Sequence, residues 1–155
     1  MEIRVVWQQP IPLVDGSKQS LIYVPRDPAS IPDRPGVYIF GRRFGDTVTP
    51  LYIGKAENLA RRIEQQLNNV RLMKGIENAP TGERILLVGE LSLRPGQRVP
   101  RVLEVLENAL IEFALTNEHE ILNKQGTRTP FHTLTFEGNR ASRQVAPLRM
   151  NVRSG

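Results

Sequence analysis

VYIF at 37–40 and LYIG at 51–54 decide the fold, because both are short runs of β-branched and aromatic residues next to a glycine. The breaker DRPG at 33–36 precedes the first run, and the stretch from Gly41 to Pro50 separates the two. This pattern predicts a pair of strands that form a hairpin with a long loop.

Outward from this hairpin, the apolar periodicity predicts two helices and a further strand on the C-terminal side. The helices are NLARRIEQQL at 58–67, which Asn58 is expected to cap, and VLEVLENALIEFAL at 102–115, which contains neither Gly nor Pro. The strand is RILLVGEL at 84–91. The segment between residues 70 and 83 is expected to be rich in loops.

Weaker patterns lie towards both ends of the chain. Short strands are predicted for IRVVW at 3–7 and SLIYV at 20–24, and FHTLTF at 131–136 alternates like a strand with one exposed face. TNEHEILN at 116–123 is expected either to continue the long helix or to form a short second one.

The resulting order, β-β-α-β-α-β, predicts an α+β domain with a mixed or antiparallel sheet of three or four strands flanked by helices. This domain is expected to span residues 32–136. Residues 1–31 are expected to be an extension with a short β element packed on the domain, and residues 137–155 a basic C-terminal tail.

The composition narrows the functional classes. The chain has 155 residues, enough for one domain with a core, and no cysteine, which excludes disulfides, zinc fingers and cysteine nucleophiles. Neither a long apolar run nor a signal peptide is visible, so a cytoplasmic protein is expected. The formal charge of +5 favours polyanionic partners such as nucleic acid.

Glu107 is the residue that helical periodicity singles out. Four apolar residues of the same helix lie within about 60° of it: Leu103, Leu110, Ile111 and Ala114. A carboxylate among apolar side chains loses hydration unless it is paired, and the natural partner is an arginine or a metal ion.

The segments GVYIF at 36–40, LYIGKAENLARRI at 51–63 and LENALI at 106–111 stand in the order strand, strand-and-helix, helix. As an ordered set they resemble the GIY-YIG nuclease superfamily, and most closely the nuclease domains of bacterial nucleotide excision repair. The resemblance covers about residues 32–136. It implies a GIY-YIG-like fold and a metal-dependent endonuclease.

The resemblance also implies a catalytic set. Tyr38 and Tyr52 match the tyrosines of the two half-motifs, Arg62 matches an arginine ten residues after the second tyrosine, and Glu107 matches the glutamate of the later helix. At position 66, where many members carry a histidine, this chain has Gln66, and the repair nucleases lack that histidine too.

Three further residues are expected to bind substrate. Lys55 matches a lysine frequent after YIG, and Asn123 best matches the asparagine that follows the family's helix, where it would brace the site or touch substrate. Arg61 neighbours Arg62 on the same helix.

The implied mechanism uses one divalent cation, Mg²⁺ or Mn²⁺, held by Glu107 and waters. It would act as a Lewis acid and stabilise the leaving 3′ oxygen. Arg62 would hold the non-bridging phosphate oxygens. Tyr38 is expected to be the base that activates water, and Tyr52 to position it, although an ordinary tyrosine is a poor base at neutral pH.

The expected partner is DNA, with no membrane association, and a second copy of the chain or a separate partner could supply specificity. Two other functions stay open. One is a catalytically inactive module of the same fold that binds DNA or a protein, and the other is an unrelated α+β interaction domain. The latter requires Tyr38, Tyr52, Arg62 and Glu107 to lie far apart.

Overall fold

The structure is a computed structural model that describes residues 2–123, 131–135 and 149–153. Its helices are α1 (Leu59–Leu67), α2 (Val70–Glu77) and α3 (Val99–Thr116). Its strands are β1 (Arg4–Trp7), β2 (Ile11–Asp15), β3 (Tyr23–Pro25), β4 (Gly36–Phe44), β5 (Thr47–Ala56), β6 (Glu83–Ser92), β7 (Phe131–Thr135) and β8 (Arg149–Arg153).

The first six strands form one antiparallel sheet in an α+β fold, in the order β3-β2-β6-β4-β5, with β1 also paired to β6. The prediction of three or four strands was therefore wrong. β6 is ten residues long, and β1 and β2 pair with its two halves in turn along the edge opposite β4. Pro10 and Pro12 hid this arrangement by interrupting the alternating pattern of the N-terminal segment.

The hairpin of β4 and β5 is longer than expected. The strands continue to Phe44 and resume at Thr47, so a two-residue turn with Gly45 at φ 61° replaces the predicted long loop. Pairing shifts between Phe40 and Gly41, where Gly41 faces Pro50. The two apparent breakers, Gly41 and Pro50, thus mark a β-bulge inside the hairpin.

The helices α1 and α3 confirm the two helices predicted from the apolar periodicity. As expected, Asn58 caps α1, and its side chain accepts a hydrogen bond from the Arg61 N–H at 3.0 Å. The loop-rich expectation for 70–83 was wrong, because α2 occupies its first half. Asn69 caps α2, and its side chain accepts from the Leu72 N–H at 3.1 Å.

The helices lie on opposite faces of the sheet. One hydrophobic cluster joins Tyr38 and Phe40 of β4 to residues of α1 and α2. Another joins Ile53 of β5 to Ile111 and Ala114 of α3. Because successive strand residues point to opposite faces, β5 carries side chains towards both α1 and α3.

The segment that follows α3 is not helical. Helix α3 ends at Thr116, and Glu118 has a φ of 62°, so 116–123 neither prolongs the helix nor forms another. The strand predicted at 131–136 is β7, which pairs with β8 in a separate two-stranded sheet. The tail therefore contains a strand, while its arginines Arg140 and Arg143 lie outside the described residues.

Candidate functional site

The two predicted tyrosines lie on the same face of the hairpin and share one hydrogen-bond donor. Gln66 Nε2 of α1 donates to Tyr38 Oη at 2.8 Å and to Tyr52 Oη at 3.3 Å. The rings of Tyr38 and Tyr52 are stacked with their centroids 6.3 Å apart. Tyr38 and Gln66 are buried, whereas Tyr52 is partly exposed.

Gly54 explains how the Tyr38 ring lies flat over β5 on the face of the sheet that carries α1. Gly54 faces Tyr38 directly across β4 and β5. A Cβ at Gly54 would collide with Cζ and Oη of Tyr38, and it would lie 2.8 Å from Cε1. The glycine of the second half-motif is therefore required by the position of the first tyrosine.

Burial makes the phenol of Tyr38 a weaker acid than that of an ordinary tyrosine. Desolvation raises the pKa of Tyr38 from 10.0 to about 12, against the opposing effects of Gln66 and Arg62. A phenol with this pKa keeps its proton at neutral pH, which weighs against the expected role of Tyr38 as the base.

Glu107 faces the sheet from α3, as its apolar neighbours indicated. Its side chain is 17% exposed, and Oε1 lies 3.9 Å from Lys55 Nζ. Desolvation raises the pKa of Glu107, while the charges of Lys55 and Arg62 lower it. The carboxyl group is thus partly desolvated but points towards cations rather than into the hydrophobic core.

Arg62 of α1 influences both Tyr38 and Glu107 electrostatically. Its positive charge lowers the pKa of both Tyr38 and Glu107, so the guanidinium acts on the phenol and the carboxylate at once. The residues of the catalytic prediction thus take part in two sets of contacts. One joins Tyr38 to Tyr52 through Gln66, and the other joins Glu107 to Lys55, which shares a groove with Arg62.

Lys55 and Arg61, predicted to bind substrate, line one groove together with Arg62. The groove runs between the start of α1 and the start of α3, and Arg61 is exposed in it.

The side chain of Asn123 holds β5 in place through two hydrogen bonds to the backbone of Ile53. Its Oδ1 accepts from the Ile53 N–H at 2.9 Å, and its Nδ2 donates to the Ile53 carbonyl at 2.5 Å. The buried side-chain amide thus pairs with the β5 backbone as a strand would, between Tyr52 and Gly54. Both of its hydrogen-bonding groups are used, so of the two expected roles the structure favours bracing.

Glu107 is the candidate metal ligand. The described part of the chain has no group of three His, Asp or Glu side chains able to surround an ion. One partly desolvated carboxylate fits a Mg²⁺ or Mn²⁺ ion that keeps most of its waters, which is how Mg²⁺ commonly binds. The donor set does not fit an ion enclosed by protein ligands.

Gln66 is a site residue whose contacts the sequence interpretation missed. It lies three residues after Ile63 and seven after Leu59, so it falls on the buried stripe of α1. A polar residue on an apolar stripe is the signal that identified Glu107 on α3. The same test applied to α1 identifies Gln66.

Comparison with sequence models of protein families, with curated proteins and with solved structures gave no match. No helix in the described ranges is long and apolar enough to cross a bilayer.

Proposed function

We propose that this chain is a metal-dependent endonuclease of the GIY-YIG type, which hydrolyses DNA phosphodiester bonds. The observation that carries the proposal is that Arg62 and Lys55 line one groove, and that the Lys55 ammonium lies 3.9 Å from the Glu107 carboxylate. A phosphodiester gains negative charge during attack by water, and a guanidinium is well shaped to hold its oxygens.

In this proposal the tyrosines exchange the roles that the resemblance implied. Tyr52 contacts the attacking water because it is partly exposed, and Gln66 fixes the orientation of its phenol from behind. Tyr38 is too buried to contact the attacking water, and its hydroxyl holds Gln66 in place. Lys55 lies near the end of β5 and reaches Glu107, and its charge adds to that of Arg62 against a phosphate.

Glu107 would hold the divalent cation. When bound, the ion supplies Lewis-acid stabilisation for the leaving oxygen. Burial raises the pKa of this carboxyl group, and the charges of Lys55 and Arg62 oppose that effect.

The test is cleavage of supercoiled plasmid, branched DNA and single-stranded DNA with Mg²⁺ or Mn²⁺. Glu107→Gln and Arg62→Ala are each expected to lower the rate by at least about 100-fold, the usual effect of removing a group that stabilises transition-state charge. Glu112→Gln on the exposed face of α3 and Arg71→Ala on α2 are the matched controls and should cut normally. Folded wild-type protein that cuts none of these substrates with either ion would contradict the proposal.

A second candidate is a DNA-binding module without catalysis. The contact between Lys55 and Glu107 favours it, because it satisfies the carboxylate with a cation from the chain itself. This module would retain DNA in a salt-dependent way, and added metal would not change the affinity.

A further inference from the structure

The groove beside the candidate site is deep enough for more than a single phosphate. Its volume is about 520 Å³, within the roughly 300–1,000 Å³ of pockets that hold small organic ligands. Lys55, Arg61 and Arg62 line its α1 side. The apolar wall opposite is the exposed Pro100 of α3, with Leu103 buried behind it.

The polar groups of the groove are mainly donors. The Oδ1 atom of Asn58 is already bonded to the Arg61 N–H, and Oε1 of Gln65 accepts from Arg62 Nη1 at 3.3 Å. These two amides therefore offer a ligand their N–H groups. Glu57 is the one acidic residue among the lining residues. A matching ligand is anionic and rich in hydrogen-bond acceptors, and has a flat apolar part.

We propose that the groove holds one unpaired nucleotide of DNA, adjacent to the phosphate that is cleaved. Its phosphate lies against Arg61, and its base packs on the exposed ring of Pro100. This inference rests on the proposed function and specifies its substrate class. A base that is stacked and paired in a duplex cannot enter a pocket without leaving the helix. The preferred substrates are therefore single-stranded DNA and duplexes with an extrahelical nucleotide.

The first test is binding, which does not depend on cleavage. The ¹⁵N-labelled full chain is titrated with thymidine 5′-monophosphate and, separately, with inorganic phosphate. We expect the nucleotide to shift the amide resonances of Asn58 and Gln65 side chains and of the backbone at Arg101, next to Pro100. Inorganic phosphate should move these resonances far less. Equal shifts with both probes would mean that the groove recognises only the phosphate group, and would overturn the proposal.

Matched variants separate charge from folding. Arg61→Ala should weaken nucleotide binding by roughly fivefold, whereas Arg71→Ala, which removes an exposed helical arginine outside the groove, should not. Pro100→Glu places a carboxylate at the wall, where the first turn of α3 tolerates an acid, and should weaken binding by a similar factor. Pro100→Gln is its neutral control. Unchanged affinity in both Arg61→Ala and Pro100→Glu would contradict the proposal.

The second test compares cleavage of a fully paired duplex with cleavage of the same duplex carrying one extrahelical nucleotide. We expect the bulged substrate to be cut about tenfold faster, and Pro100→Glu to abolish that preference. Equal rates on the two substrates would overturn the inference and leave the nuclease intact. If the nucleotide binds as described but no substrate is cleaved, the hydrolytic function is refuted and the groove is supported as a nucleotide-binding site.

Discussion

Gly54→Ala is the substitution whose effect the structure fixes most directly. The added Cβ would overlap Cζ and Oη of Tyr38, and that ring cannot retreat. It is 1% exposed, its edge packs on Phe40 with centroids 5.8 Å apart, and its hydroxyl is bonded to Gln66. Overpacking of this kind costs about 1–3 kcal/mol.

Taking about 2 kcal/mol, we expect Tm to fall by roughly 4–8 °C in a chain of this size, measured by circular dichroism. The control is Gly41→Ala in the same strand pair, where the nearest atom to a new Cβ is the Thr49 carbonyl oxygen at 3.2 Å. That variant should stay within about 2 °C of wild type. Alanine loses less conformational entropy than glycine when the strand forms, and this gain offsets the close contact.

A double-mutant cycle tests the cause. Leucine at position 38 lacks the outer ring atoms that the new Cβ meets, so Gly54→Ala should cost less than about 0.5 kcal/mol in a Tyr38→Leu background. The reasoning is refuted if Gly54→Ala costs as much there as in wild type, or if it is as mild as Gly41→Ala.

Three further predictions concern buried polar groups. Because burial raises the pKa of Tyr38 to about 12 against 10.0 ordinarily, its contribution to stability is complete below pH 10 and is lost as pH rises to 12. Urea titrations should therefore show wild type losing up to about 3 kcal/mol relative to Tyr38→Phe over that range. Arg84→Lys should cost about 3 kcal/mol in urea unfolding, because the buried guanidinium donates to five backbone carbonyls between Ile76 and Gly82, which one ammonium cannot all reach. Asn123→Ala should cost about 2 kcal/mol and speed hydrogen exchange at the Ile53 amide, whereas Asn123→Asp should keep that amide protected.

The sequence predicts the elements whose patterns are long and regular. Helices α1 and α3 and strand β6 lie where periodicity places them, because each has one strongly apolar face or run. The shorter elements depend on partners distant in sequence. Strand β2 contains Pro12 and is stabilised by pairing with Ile85 and Leu86 of β6, which no local pattern reveals.

Helix α2 was missed for a different reason. Gly75 in its interior lowers helix propensity, yet a Cβ there would lie 3.0 Å from Leu122. The glycine lets the chain after α3 approach the helix closely. Tertiary packing therefore overrides local preference, although the cap residue Asn69 was visible in the sequence.

Sheet topology also explains why two tyrosines in similar motifs differ. β4 lies between β6 and β5, so Tyr38 is enclosed by strands on both sides and by α1 above. β5 pairs only with β4 among the described strands, so Tyr52 reaches the rim of the sheet and stays partly exposed. The motifs alone leave the two phenols equivalent, because strand order depends on the register of β6. In the proposed mechanism, the phenol that contacts the attacking water must be accessible to solvent, and the partly exposed Tyr52 of the edge strand meets that requirement. The buried Tyr38 of the inner strand instead accepts a hydrogen bond from Gln66, which also donates to Tyr52.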